Sequence, residues 1–329
     1  MRKLIMVYVL LLACFASYVY FEYVRVASPG AWNEPSQGLK GTHNEKYVLV
    51  TFQSGIDYWK NVLKGFEDAA EALDVSVEYR GATQYDVHEE ITVLEQVIAK
   101  KPAGIAVTAI NPDELTSTIN KAVEAGIPVV LFDSGASKSK AYSFLATDNY
   151  SAGVTAARKM AELTEQQGKI AIITSPGQLN HKERTSGFTD TIRSEFPNMQ
   201  VVGVENGQGD SIVSDQAARK LMGMYPDLAG IFVTEANGGV GVAAAVSDAG
   251  KTGKLKIIGF DTDKGTLDLV KKGAISATLA QGTWNMGYWS LMHLFHLNHN
   301  KSQQIPVPPH VDTGITVVTQ SNVDQFYAK

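Results

Sequence analysis

GIAVTAINPDELTSTINKAVEAGIPVVLFD, residues Gly104–Asp133, is the stretch that decides the fold. Gly104–Thr108 is a short apolar run of strand length, and Pro128–Phe132 is a second one that stops at an aspartate. Between them Pro112–Ala125 carries its apolar residues at helical spacing. Two strands joined through a helix pair in parallel, because the helix returns the chain to the end of the sheet where the first strand began.

The same alternation continues on both sides. Upstream, Tyr47–Phe52 (YVLVTF) and Val75–Tyr79 read as strands. Tyr58–Leu73 reads as an amphipathic helix with Val62, Leu63, Phe66 and Ala69 inward, and Val87–Lys100 as another helix. Downstream the pattern restarts. Strands fall at Lys169–Thr174 (KIAIIT), Val201–Val204, Gly230–Val233 and Lys256–Phe260. Helical stretches lie near Glu183–Glu195, Val213–Tyr225, Val240–Ala249 and Gly265–Lys272. Such a rhythm implies parallel sheets covered by helices on both faces. A chain of 329 residues exceeds what one hydrophobic core accommodates, so two lobes are expected. In open α/β sheets ligands bind beyond the carboxyl ends of the strands. Two facing sheets therefore put the site in the cleft between them.

A net charge of −5 supplies no counter-charge for a phosphate backbone, which argues against a nucleic-acid partner. The single cysteine, Cys14, rules out an intrachain disulfide and a thiolate metal cluster. Arg2 and Lys3 precede the mostly apolar run Leu4–Phe21, which ends at Glu22 and Arg25. Basic residues before an apolar run keep the N-terminus inside and export the downstream chain. Residues 1–26 thus read either as an uncleaved signal anchor, being just long enough to span a bilayer, or as a lipoprotein signal. On the second reading Leu11-Leu12-Ala13-Cys14 leads to acylation at Cys14, although Phe15 stands where a small residue is usual. Residues 27–45, rich in Gly, Pro, Ser and Asn, read as a linker. Either way the expected location is the cell envelope, membrane-anchored, with the folded part extracytoplasmic.

The residues just past each strand form the candidate site. Asp57, Tyr58 and Trp59 follow the first strand, and Asp133 and Ser134 follow Pro128–Phe132. Asn180, His181, Lys182 and Arg184 lie in and after the loop beyond Lys169–Thr174. Thr234, Glu235 and Asn237 follow Gly230–Val233, Asp261 and Asp263 follow Lys256–Phe260, and Gln281 follows Ala277–Ala280. Carboxylates and amides accept from vicinal hydroxyls, and a guanidinium offers a fork of donors. Tyr58 and Trp59 offer flat faces to the C–H side of a sugar ring. Several of these residues also have plain structural uses: Asp57, Asp133 and Asp261 as turn or cap residues, and Arg184 as a solvated helix charge.

From about Lys46 onward the chain resembles the ribose/galactose-type periplasmic binding proteins, of the type I periplasmic-binding-protein fold and the ABC-transporter solute-binding family. The matching motifs are IAVTAINP (Ile105–Pro112), GIPVVLFD (Gly126–Asp133), LATDN (Leu145–Asn149), ERTSGF (Glu183–Phe188), IIGFD (Ile257–Asp261) and TLAQ (Thr278–Gln281). The resemblance implies two doubly wound lobes joined by a three-strand hinge. Their expected bounds are 46–147 with 283–310 for the first lobe and 148–282 with 311–329 for the second. Crossings are expected near Thr147–Asn149, Gln281–Thr283 and His310–Thr313, with the helix at Asn285–Leu297 returning to the first lobe. It further implies ligand contacts from Tyr58, Trp59, Asp133, Arg184, Asp261 and Gln281, with no cofactor and no catalysis. Ser134 stands where the family often has arginine. Glu235-Ala236-Asn237 replaces an Asn-Asp pair, so Glu235 or Asn237 takes that contact, and Gly209 stands where an aromatic can close on the ring.

Other classes fit less well. No histidine sits in a nucleophile constellation, and hydroxyl recognition accounts for Asp133 and Asp261 without glycosidase chemistry. His293, His296 and His299 are spread over a helix face by their three-residue spacing, which disfavours a zinc site. A repressor of the same fold would carry DNA-binding helices where this chain has an apolar segment and a linker. The expected partners are a monosaccharide and an ABC-type permease. The alternative partner is the extracytoplasmic domain of a sensor kinase, to which a fixed anchor would present the ligand-bound state.

Overall fold

The computed structural model describes residues 15–18, 20, 39–300 and 306–327. Cys14, most of the 1–26 segment and most of the 27–45 linker lie outside them. Among the described residues no helix is long and apolar enough to cross a membrane.

The chain folds into two α/β lobes of matching design. The first sheet contains β1 (Lys46–Thr51), β2 (Ser76–Gly81), β3 (Gly104–Val107), β4 (Val129–Phe132) and β5 (Ser143–Ala146). The second contains β6 (Gly168–Thr174), β7 (Met199–Asn206), β8 (Leu228–Val233), β9 (Lys256–Phe260) and β10 (Ala277–Gln281). Two late strands complete them, β11 (His310–Asp312) at the edge of the first and β12 (Ile315–Val318) at the edge of the second. The spatial orders are β11-β5-β4-β3-β1-β2 and β12-β10-β9-β8-β6-β7, the same permutation twice. All pairings are parallel except β12 with β10, a departure from the all-parallel expectation. The cause is the direct passage from β11 to β12. A strand that leaves one sheet at its carboxyl edge, with no helix between, enters the facing sheet from that sheet's own carboxyl edge and must run backwards.

Helices cover both faces of each sheet: α1 (Tyr58–Leu73), α2 (Val87–Ala99), α3 (Pro112–Glu124), α4 (Asn149–Leu163), α5 (Leu179–Glu195), α6 (Ser211–Met224), α7 (Gly238–Asp248), α8 (Lys264–Lys271) and α9 (Thr283–His299). Along β1, Tyr47 and Leu49 pack with Phe66 of α1 and Leu294 of α9. The intervening Val48 and Val50 pack with Leu94 of α2 and Ile119 of α3. In β6, Ile170 and Ile172 meet Ala156 of α4 and Phe188 of α5, while Ala171 and Ile173 meet Leu221 of α6 and Val246 of α7. Burial on both faces is why these strands read as unbroken apolar runs rather than alternating ones.

Each crossing delivers a helix to the lobe it enters. After β5 the chain crosses and α4 packs on α5, and after β10 it crosses back and α9 packs on α1. Both pairs touch backbone to backbone. A Cβ at Gly65 would overlap the Trp284 carbonyl and one at Gly287 the Val62 carbonyl, while Gly153 and Gly187 meet the carbonyls of Arg184 and Tyr150 in the same way. The three crossings are tied together. Thr313 N donates to Ala146 O (3.0 Å) and Gly282 N to Gly314 O (3.0 Å). Asp312 Oδ1 accepts from Asp148 N (3.1 Å) and Gly314 N (2.9 Å).

Candidate functional site

Because every strand from β1 to β10 points its carboxyl end towards the hinge side of its lobe, the loops after them face one another. Two aspartates occupy equivalent places. Asp133 follows β4 with φ 58° and its N–H donates to Leu145 O of β5 (3.0 Å). Asp261 follows β9 with φ 65° and its N–H donates to Leu279 O of β10 (2.8 Å). In both, a left-handed residue turns the chain sharply at the sheet edge, and a short polar side chain tolerates that conformation better than most.

On the first lobe the Tyr58 hydroxyl donates to Asp133 Oδ1 at 2.6 Å. Burial raises the Asp133 carboxyl above its usual range, opposed by the Tyr58 bond and the Arg184 charge. Burial also pushes the Tyr58 phenol well up, helped by the charges of Asp133 and Asp261. On the second lobe Arg184 is 3% exposed and lies over Phe260, its guanidinium carbon 3.7 Å from the ring centroid. Arg184 Nε donates to Asn149 Oδ1 (2.9 Å), Nη1 to Thr234 O (2.8 Å) and Nη2 to Gln281 Oε1 (3.1 Å). A guanidinium has five N–H donors, so these three bonds leave two for a guest. Gln281 is the junction. Its Oε1 also accepts from Thr147 Oγ1 (2.9 Å), and its Nε2 donates to Asp261 Oδ1 (2.8 Å). Burial pushes the Asp261 carboxyl up to about 6, with Asp133 and Asp263 adding to the rise and Arg184 and Gln281 opposing it.

Tyr58 and Asp133 of one lobe thus feel Arg184 and Asp261 of the other, so four of the expected residues, Arg184 buried and the other three half-buried, converge in one basin with Gln281 at its hinge edge. The others are employed differently. Trp59 is 2% exposed, donates its indole N–H to Phe52 O (2.9 Å) and meets Phe52, Tyr58 and Phe132 edge-on. Its polar edge is spent inside the first lobe, where it forms part of the core behind Tyr58. Ser134 gives its hydroxyl proton to Ala109 O (2.8 Å), which fixes the loop after β4. Glu235 turns into the second lobe, its Oε2 accepting from Ser175 Oγ and from Gly209 N (3.0 Å). Asn237 is exposed and reaches only the Gly209 carbonyl, at 3.4 Å. Gly207 leaves the Glu235 carboxylate the space a side chain would fill, and with the Gly209 N–H bond the carboxylate braces that loop.

Asn149 and Thr147, outside the strand-end set, and Thr234, within it, support the basin: Asn149 and Thr234 hold Arg184, and Thr147 holds Gln281. His181 places Nδ1 at 3.0 Å from Thr234 O, and burial, with the Arg184 charge, pushes it down to about 3, so its ring is neutral. Asn149 and Phe260 sit inside LATDN and IIGFD, where position was visible and direction was not. The basin combines carboxylate acceptors with guanidinium and phenol donors above apolar ring surface, a composition suited to a small hydroxyl-rich molecule.

A model of the periplasmic binding protein domain matches residues 47–301. Among curated proteins the chain is 26% identical over 252 residues to the D-allose-binding periplasmic protein of Escherichia coli, covering 74% of this chain and 81% of that one. Among solved structures, a sugar ABC transporter sugar-binding protein from Bacillus halodurans is 63% identical, with TM-score 0.84, covering 86% of this chain and all of that one. AraP, an arabinose-binding protein from Geobacillus stearothermophilus, is 68% identical with TM-score 0.82, covering 86% of this chain and 99% of that one.

Proposed function

The chain belongs to the periplasmic binding protein domain family, and from that premise we propose that it captures a monosaccharide, arabinose in particular, in the interlobe cleft for ABC-type import. The observation that carries this reading is the convergence of Asp133 and Tyr58, bonded to each other on one lobe, with Arg184 and Asp261, joined through Gln281 on the other. Such a basin is best satisfied when a guest brings hydroxyl donors to the carboxylates and acceptors to the guanidinium. The 68% identity with an arabinose-binding protein supports that pentose over a hexose. Relatives named as binding components of importers support uptake over presentation to a sensor kinase. The basic residues and apolar run of 1–26 support tethering to the outer face of a membrane, by an anchor helix or by acylated Cys14.

A ligand that contacts both lobes stabilises only the arrangement in which they face each other, so it shifts an open–closed equilibrium about the three crossings. The test is titration calorimetry with arabinose, xylose, ribose, glucose and galactose. Arabinose is expected to bind tightest. Arg184→Ala and Asp261→Ala should each weaken it by roughly 30-fold or more, because a buried charge or its partners are left unpaired. Absence of heat for every aldose, or wild-type affinity in both variants, would overturn the reading.

A further inference from the structure

Among the described residues one side-chain hydrogen bond joins the two lobes at the rim of the cleft. Tyr85, between β2 and α2, belongs to the first lobe, and Gln178, at the start of α5, to the second. Gln178 Nε2 donates to the Tyr85 hydroxyl at 3.1 Å. Among the described residues, the other side-chain hydrogen bonds that link the two halves gather at the crossings: Thr147 with Gln281, Asp148 with Asp312, Asn285 with Thr313. The rim bond therefore lies far along the lever arm from the hinge, where lobe separation is largest and a single contact is the first to break.

Tyr85 is also joined to the cleft floor. Its ring meets Phe52 edge-on at 5.4 Å, and Phe52 meets Trp59 edge-on at 5.3 Å. Trp59 in turn meets Tyr58, whose hydroxyl is bonded to Asp133. Tyr85 itself is 53% exposed, and burial, with the charges of Glu90 and Asp133, pushes its phenol up. Tyr85 is thus a half-exposed side chain packed on Phe52 of its own lobe and hydrogen-bonded to Gln178 of the other.

We propose that Tyr85 and Gln178 form a latch over the cleft mouth that retains the bound sugar. The latch rests on the sugar-binding reading and adds to it two retaining residues, one from each lobe. It forms only when the lobes have met, so it acts on escape and leaves entry untouched. A neutral hydrogen bond of this kind is worth a few-fold to about ten-fold in affinity.

The experiment is stopped-flow fluorescence with arabinose, following the tryptophan signal, on the wild type, Tyr85→Phe, Gln178→Ala and the double variant. Tyr85→Phe keeps the ring on Phe52 and removes only the acceptor oxygen. Each single change should raise the dissociation rate a few-fold to about ten-fold with the association rate and the melting temperature unchanged. The double variant should dissociate no faster than the worse single one, since one bond is lost in all three. Unchanged dissociation in the single variants, or rate increases that multiply in the double variant, would overturn the latch while arabinose binding stands. Failure of the wild type to bind any aldose would overturn the latch together with the sugar reading.

Discussion

Burial holds the Asp261 carboxyl up at about 6, against about 4 for an unperturbed aspartate. Between those values the folded protein keeps a proton there that the unfolded chain has lost. Its contribution to stability is therefore greatest at acid pH and declines as pH rises through that window. In the proposed contact sugar hydroxyls donate to the ionised form, so binding should expel the proton. Affinity should fall by up to about ten-fold per unit below pH 6 and level off above it. Calorimetry at about pH 5 and about pH 7, in buffers of different ionisation heat, checks this through both the affinity and the proton released. Equal affinity at both values would remove Asp261 from the contacts. At this scale the sequence was legible in position but not in direction. Asp133, Arg184, Asp261 and Gln281 stand where strand ends predict. Trp59, Ser134 and Glu235 stand in such positions too, yet their polar atoms found partners within their own lobes.

Among elements, the helices that enter each lobe from a crossing carry the most exacting contacts. Gly287 of α9 leaves no room for a Cβ beneath the Val62 carbonyl of α1, and Gly65 answers it from the other side. Gly287→Ala must push the helices apart or shift α9 along its axis. It should lower stability by about 1–3 kcal/mol, less the few tenths to 1 gained from helix propensity. Urea unfolding measures it, and an unchanged midpoint would mean that the helices adjust freely. The element boundaries over Tyr58–Leu73 and Lys256–Phe260 are readable from periodicity and run length alone. The helix over Asn149–Leu163 and the strand over Ser143–Ala146 carry no comparable periodic signal. Apart from Met160 and Asn149, the inward face of α4 is built from Ala152, Gly153, Ala156, Ala157 and Ala161, small residues suited to close approach, which give little apolar contrast with the outward face.

For the whole molecule, the two lobes repeat one permutation of strands and meet across three crossings that hydrogen-bond one another, a hinge with few soft torsions. Saturation with arabinose should therefore lower the radius of gyration measured by solution scattering, with the lobes themselves unchanged. A profile that stays constant while calorimetry reports full occupancy would count against ligand-driven closure. By itself the sequence determined that there are two parallel-sheet lobes, which strands end at the cleft and which residues stand at those ends. These follow from local periodicity and from the rule that strand–helix–strand units return to the same edge. Tertiary structure alone decided that β12 runs backwards, that α4 and α9 meet their partner helices backbone to backbone, and that Arg184 rather than Glu235 reaches the basin. Those outcomes depend on which distant backbone a side chain meets when the lobes close, and no local pattern encodes that distance.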